Sequence, residues 1–294
     1  MKKNKSTQEF FEEGKLNGKK NSVLSKVFFG IFISYIILFV IFMASYIAFK
    51  ARFTCIPVTG RSMQPTINAS VIKGDPNNPD EVADWVYIEK RDYKYEDIVV
   101  FDAKKYQNEE LCLIKRLLAF GGDAVTIIKM DTLEYNEPVY KICRAKAQTI
   151  ADGSVDPEDI EVLDEKYTTD PYEWTYNSIY STNEPLYDFH FKQTFFSSGK
   201  YEVIMDTTGI MYAIIPENEF FYMADNRSEG SDSRSRGTEK MSAIRGAVEI
   251  HVKDAESSSS ALWVQIREVC KYYFEIIGAF FSNLWFDLEK SFDI

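Results

Sequence analysis

The chain has 294 residues, a formal net charge of −11, and 45% hydrophobic and 15% aromatic residues. That length accommodates one large domain or two smaller ones around a proper core, and the apolar content excludes a disordered protein. The charge is uneven: residues 1–26 carry seven lysines against three glutamates, while 151–189 hold eleven acids and one base, Lys166. A basic start and an acidic middle argue against a nucleic-acid partner, which would want a basic folded face.

Val27 to Phe49 is a run of 23 residues without a charge. As a helix it would reach roughly 34 Å, enough to cross a ~30 Å hydrocarbon core. A cleaved signal peptide would have a shorter apolar region of ~7–15 residues and a small-x-small site after it. The run is therefore read as a retained transmembrane anchor at 27–49. The lysines of the basic tail 1–26 outnumber Lys50 and Arg52 behind it, which puts the N-terminus in the cytoplasm and the rest outside. The expected location is the cell membrane, single-pass, with the lipid bilayer as one partner.

Beyond the anchor the pattern changes to strands. The stretches 84–90, 97–103, 112–120 and 123–129 are short, β-branched and aromatic, with Gly, Pro, Asn and Asp between them. Later stretches of the same kind lie at 201–205, 211–215, 219–223 and 243–252, and the turn-rich segment "KGDPNNPDE" (73–81) is a loop. The expected fold is mainly β: a coiled or barrel-like antiparallel sheet forming a catalytic β domain over 51–130 and 200–253. Residues 131–199, weakly periodic and acidic, read as an inserted acidic subdomain. In the tail, apolar residues recur at 262, 266, 269, 273, 276, 280, 284 and 288 behind "SSSS", which predicts an amphipathic helix over 261–290. Cys55, Cys112, Cys143 and Cys270 are widely spaced without a metal-ligand pattern; disulfides and free thiols are both compatible with that spacing.

Three stretches carry chemistry. The first is "TGRSMQPT" (59–66), thirteen residues beyond Phe49 at Ser62 and so within ~45 Å of extended chain from the anchor. A serine hydroxyl is a poor nucleophile unless a neighbouring base takes its proton, and His190 and His251 are remote in sequence. The second is "CLIKRLLAFGGD" (112–123). On a strand Lys115 shares a face with Leu113 and Leu117, and Arg116 points the other way. A lysine among leucines either snorkels to water or is held neutral, and burial lowers its pKa. The third, "EFFYMADNRSEGSDSRSRGTE" (219–239), packs Asp225, Asn226, Arg227, Asp232, Ser233 and Arg234 into one connection. That density reads either as a hydrogen-bonded and ion-paired network or as a solvated loop.

Together these stretches resemble the type I signal peptidases. That family carries an S-M-x-P-T box beyond a membrane anchor, filled here by Ser62, Met63, Pro65 and Thr66. A D-I-V-V-like strand follows at Asp97–Val100, then a K-R box ending in G-D at Lys115, Arg116, Ala119, Gly122 and Asp123. The final box of the family, G-D-N-R-x-x-S-x-D-S-R-x-x-G, corresponds to Asp225, Asn226, Arg227, Asp232, Ser233, Arg234 and Gly237. The resemblance implies a Ser–Lys dyad, with Ser62 as nucleophile, Lys115 as general base and the Ser62 backbone N–H in the oxyanion hole. It implies that Arg116, Asp225, Asn226, Arg227, Asp232, Ser233 and Arg234 support the dyad and that Met63 and Pro65 line the substrate groove. Substrates would be signal-peptide-bearing preproteins with small residues at −1 and −3, and neither a cofactor nor a metal is expected.

The chain departs from the pattern in places. Gly60 stands where some members carry a second hydroxyl, and Gly230 stands where the last box has a serine whose hydroxyl helps orient the amine. Ser231 and Ser233 are the nearest hydroxyls that could replace it. The familiar M-G-D-N is M-A-D-N through Ala224, and L-P before G-D becomes Phe120–Gly121. Two further readings stay open at this point: a specialised or weakened relative processing a few surface substrates, and a non-catalytic module that binds signal peptides.

Overall fold

The computed structural model describes residues 7–67, 84–106, 109–134, 137–151, 154–163, 189–227 and 230–252, and in the tail residues 266, 267, 269–271, 273, 274, 278 and 282. The loop expected at 73–81 lies outside them, as does most of the helix expected at 261–290. The chain divides into two units, one made of residues 1–52 and 268–294 and the other of 53–267.

In the first unit, α1 runs from Thr7 to Arg52. Its apolar part, Leu24–Arg52, reaches a mean hydropathy of 2.8, and among the described helices it alone is long and apolar enough to cross a membrane. The side chains from Leu24 to Met43 are exposed, which suits a lipid environment better than water. The helix continues towards the N-terminus well past residue 27, through much of the segment expected as a basic tail. The described tail residues of this unit are helical, and Tyr273 donates its hydroxyl to the Ser45 carbonyl oxygen at 2.5 Å.

The second unit is built from strands. In chain order they are β1 (Thr54–Pro57), β2 (Trp85–Glu89), β3 (Ile98–Tyr106), β4 (Glu109–Phe120), β5 (Ala124–Glu134), β6 (Glu137–Ala145), β7 (Ile150–Ala151) and β8 (Ser154–Val155). They continue with β9 (Glu161–Val162), β10 (Val203–Met205), β11 (Met211–Ile214), β12 (Glu219–Met223), β13 (Glu239–Lys240) and β14 (Ile244–Val252). A seven-stranded sheet has the order β1-β2-β14-β3-β4-β12-β13, and a five-stranded sheet the order β10-β11-β5-β6-β9; β7 and β8 form a separate pair. Every ladder is antiparallel. Register shifts in the ladders β12–β4, β14–β2, β14–β3 and β3–β4 increase the local twist and bend of the larger sheet, as the coiled sheet read from the sequence requires.

The two sheets are joined where β4 turns into β5. Gly122 has φ +86, and a β-carbon at Gly121 would lie 2.9 Å from the Pro216 carbonyl oxygen, so the turn needs glycine at both places. Asp123 then accepts from the backbone N–H groups of Phe120 and Ala147 and from the Tyr95 hydroxyl. One core cluster spans the junction, with Leu118, Ala119, Phe221 and Met223 from the larger sheet packed with Val125, Ile127, Tyr140, Ile142 and Ala213 from the smaller. β5 and β6 extend the smaller sheet across the boundary drawn at residue 131, so the segment 131–145 and the strands around 203–214 share one sheet. No disulfide joins any of the four cysteines.

Candidate active site

Ser62 sits in a tight turn directly after β1. Gly60 has φ +87, a conformation that strains any residue with a β-carbon, and the Gln64–Pro65 peptide is cis. Gln64 N–H donates to the Arg61 carbonyl oxygen and Ile67 N–H to that of Met63, closing the turn on itself. Met63 and Ile67 point inward to a cluster with Val58, Val86, Ile88 and Val100. Met63 is 1% exposed. It was expected in the substrate groove; it lies instead in the core beneath the turn, because burying this thioether is what seats the turn on the sheet. Pro65 is exposed.

Lys115 lies in β4, paired with Val99 of β3. It is 3% exposed, and this burial pushes its pKa from 10.5 down to about 8; the nearby carboxylates of Asp232 and Asp225 resist the shift, and Arg236 assists it. Its Nζ is 2.7 Å from Ser62 Oγ and donates to the Ile114 carbonyl oxygen at 2.8 Å. Those are its hydrogen-bond partners among the described residues. The lysine thus takes the neutral-leaning alternative and does not snorkel to water.

Arg116 takes the opposite face, as the strand period requires. Its Nε and Nη2 form a two-pronged ion pair with Asp225 at 2.9 and 2.6 Å, and its Nη1 donates to the Glu96 carbonyl oxygen. Asp225 is 1% exposed, so the pair is buried and fully engaged. The same carboxylate accepts from Thr66 Oγ1 at 2.5 Å, and Asn226 N–H donates to the Ser62 carbonyl oxygen at 2.9 Å. The loop after β12 therefore touches both segments that carry the close pair.

That loop is a network, not a solvated connection. Asp232 caps the short helix Ser233–Arg236 by accepting from Arg234 N–H, takes Arg234 Nε and Nη2 on its two oxygens, and accepts from Ala224 N–H. Arg234 Nη2 also donates to the Arg227 carbonyl oxygen, and Arg227 Nε donates to that of Ala224. Ser233 Oγ accepts from Tyr222 N–H, Ser231 is exposed, and neither hydroxyl hydrogen-bonds Lys115. Every residue expected to support the dyad is thus gathered in this loop or beside it.

Sequence reading missed two contributors. Thr66 is quoted in its motif, but nothing in the string says that its hydroxyl reaches a carboxylate 159 positions away. The Ile114 carbonyl oxygen has no side-chain signature at all. His251 pairs with Asp84 at 2.6 Å and is not a partner of Ser62. Among the described residues no three His, Cys, Asp or Glu side chains converge as a metal site would need.

A hydroxyl touching a buried amine of lowered basicity is the equipment of a serine hydrolase. The chain belongs to the signal peptidase family, peptidase S26, whose model matches residues 31–252, and is accordingly a serine peptidase. Among solved structures, a signal peptidase I from Enterococcus faecalis aligns at 16% identity over 54% of this chain and 98% of that one; its TM-score of 0.27 is too low to carry an argument. No curated protein matches the chain.

Proposed function

We propose that the protein is a membrane-anchored endopeptidase that removes N-terminal signal peptides from exported preproteins, with Ser62 as nucleophile and Lys115 as general base. The observation that carries this reading is the 2.7 Å contact between Ser62 Oγ and a Lys115 amine whose pKa is lowered by burial to about 8. At neutral to mildly alkaline pH such an amine has a substantial neutral fraction, and only the neutral form can accept the hydroxyl proton.

In the first step Ser62 Oγ attacks the scissile carbonyl carbon as its proton passes to Lys115 Nζ. The oxyanion that forms lies against the Ser62 backbone N–H, which donates to no described acceptor. Collapse breaks the C–N bond, Lys115 returns the proton to the leaving amine, and an acyl-enzyme remains. Water then attacks that ester with Lys115 taking its proton, and Ser62 leaves with a hydrogen restored. Asp225, Asn226, Arg116 and Thr66 hold the two segments in register throughout.

Leu24–Arg52 serves as a single-pass anchor in the cell membrane, with the N-terminus cytoplasmic and the peptidase unit outside. Tethered ten residues before Ser62, this anchor keeps the site near a substrate whose own apolar segment is still in the bilayer. The test is cleavage of a preprotein with an A-x-A site in detergent by the wild type, Ser62→Ala and Lys115→Ala. Loss of cleavage in both variants is expected, and full cleavage by either one ends the dyad reading.

A further inference from the structure

Gly230 and Ala224 stand against each other across the loop that follows β12. A β-carbon at Gly230 would lie 1.9 Å from the Ala224 methyl and 2.8 Å from the Asn226 carbonyl oxygen. Neither obstacle is the loose end of a long side chain, so neither yields cheaply. Ala224 is fully buried, and its backbone is held on both sides: its N–H donates to Asp232 Oδ2 at 3.1 Å and its carbonyl oxygen accepts from Arg227 Nε at 2.6 Å. The space between the two positions holds one side chain, and Ala224 supplies it.

That space lies at the end of the ladder between β12 and β4, the strand that carries Lys115. Met223 pairs with Arg116 in that ladder, and Ala224, the next residue along, donates its N–H to Asp232, a carboxylate whose charge acts on Lys115. Lys115 Nζ has two hydrogen-bond partners among the described residues, whereas an ammonium can serve three.

We propose that Ala224 and Gly230 act as one steric unit beside the base. The Ala224 methyl takes the volume of a residue-230 side chain and closes the third position of the Lys115 amine to a hydroxyl, so that among the described residues Ser62 and Ile114 position it. The inference rests on the reading of Lys115 as the base and makes Ala224 a positioning residue. A hydroxyl at 230 would accept from the ammonium and favour the charged form, and an apolar methyl does the reverse.

The test compares full-length wild type, Ala224→Gly, Gly230→Ser and the double variant in detergent. Unfolding is measured in a Ser62→Ala background, and the pH profile of kcat/KM on an A-x-A preprotein is measured with Ser62 intact. Gly230→Ser alone is expected to lower the folded-to-unfolded ratio roughly ten- to a hundredfold, the usual scale for overpacking, and adding Ala224→Gly to recover most of that loss. The double variant should show its rising pH limb at higher pH than the wild type, and Ala224→Gly alone should not. Additive stability effects, or a Gly230→Ser variant as stable as wild type, overturn the steric unit. A double variant whose limb coincides with that of the wild type overturns its control of the amine. Because unfolding is read without Ser62, the steric half is decided even if Lys115→Ala keeps cleaving and the dyad reading itself fails.

Discussion

Thr66 Oγ1 donates to Asp225 Oδ2 at 2.5 Å while Arg116, next to Lys115, takes both oxygens of the same carboxylate. One buried anion therefore ties the turn that presents Ser62 to the strand that presents Lys115. Thr66→Val keeps the shape and removes the hydroxyl. A hydrogen bond to a charged group contributes about 1.5–3 kcal/mol, so unfolding should show a loss of that order. If the tie also sets the dyad geometry, kcat falls about tenfold or more with KM little changed, and Thr66→Ser retains most of the activity. A Val variant with wild-type kcat would leave Thr66 a purely structural residue.

The pH profile follows from the sign of the Lys115 shift. On the proposed mechanism Lys115 must be neutral to act as base, and burial brings its pKa down to about 8. The expected kcat/KM rises with pH, limited by an apparent pKa near that value and falling about tenfold per unit on the acid side. A limb near 10.5, where an ordinary lysine titrates, would contradict the desolvated amine.

The same shift makes a stability prediction. The folded chain holds the Lys115 proton less tightly than the unfolded chain, whose lysine titrates at its ordinary value of 10.5. As pH falls below 10.5 the unfolded state gains a proton that the folded state refuses until about 8, so stability is lost through that window. The loss totals roughly 3 kcal/mol at ~1.4 kcal/mol per unit. Lys115→Met removes this cost along with two hydrogen bonds. Relative to wild type, the variant should therefore fare better at pH 7 than at pH 10.5 by up to roughly 3 kcal/mol in urea titrations. A difference between the two proteins that does not change with pH would refute the linkage.

Gly60 separates backbone strain from crowding. Its φ is +87, yet a β-carbon there would meet nothing within 4 Å. Gly60→Ala should cost about 1–2 kcal/mol through the backbone alone and lower activity by displacing Ser62 two residues on. Unchanged melting and unchanged cleavage together would show that the turn does not depend on glycine at this place.

Much of this arrangement is readable in the string. The alternation around Lys115 correctly puts it and Arg116 on opposite faces, whereas composition left the crowded polar segment 224–234 open between a solvated loop and the network it is. The membrane-length apolar helix, too, stands out by composition alone. What escapes is whatever depends on backbone atoms or on volume. Ile114 acts through a carbonyl oxygen that every residue has, and Met63 reads the same whether its thioether meets a substrate or the core. Ala224 and Gly230 look like two separate departures from a motif until the 1.9 Å that would separate a residue-230 β-carbon from the Ala224 methyl relates them. β5 and β6 run on past residue 131 because ladder pairing, which the weak side-chain alternation of that segment does not announce, sustains them.

Ser62 and Lys115 are 53 positions apart, and the residues that clamp them lie more than a hundred further on. Before it folds, the chain has these pieces scattered along an open string. Its lysine there is an ordinary cation and its serine an ordinary alcohol, as inert as any other. On the proposed mechanism and topology, reactivity is thus switched on by the act of folding itself, which would confine a cutting tool to the side of the membrane on which it finishes assembling.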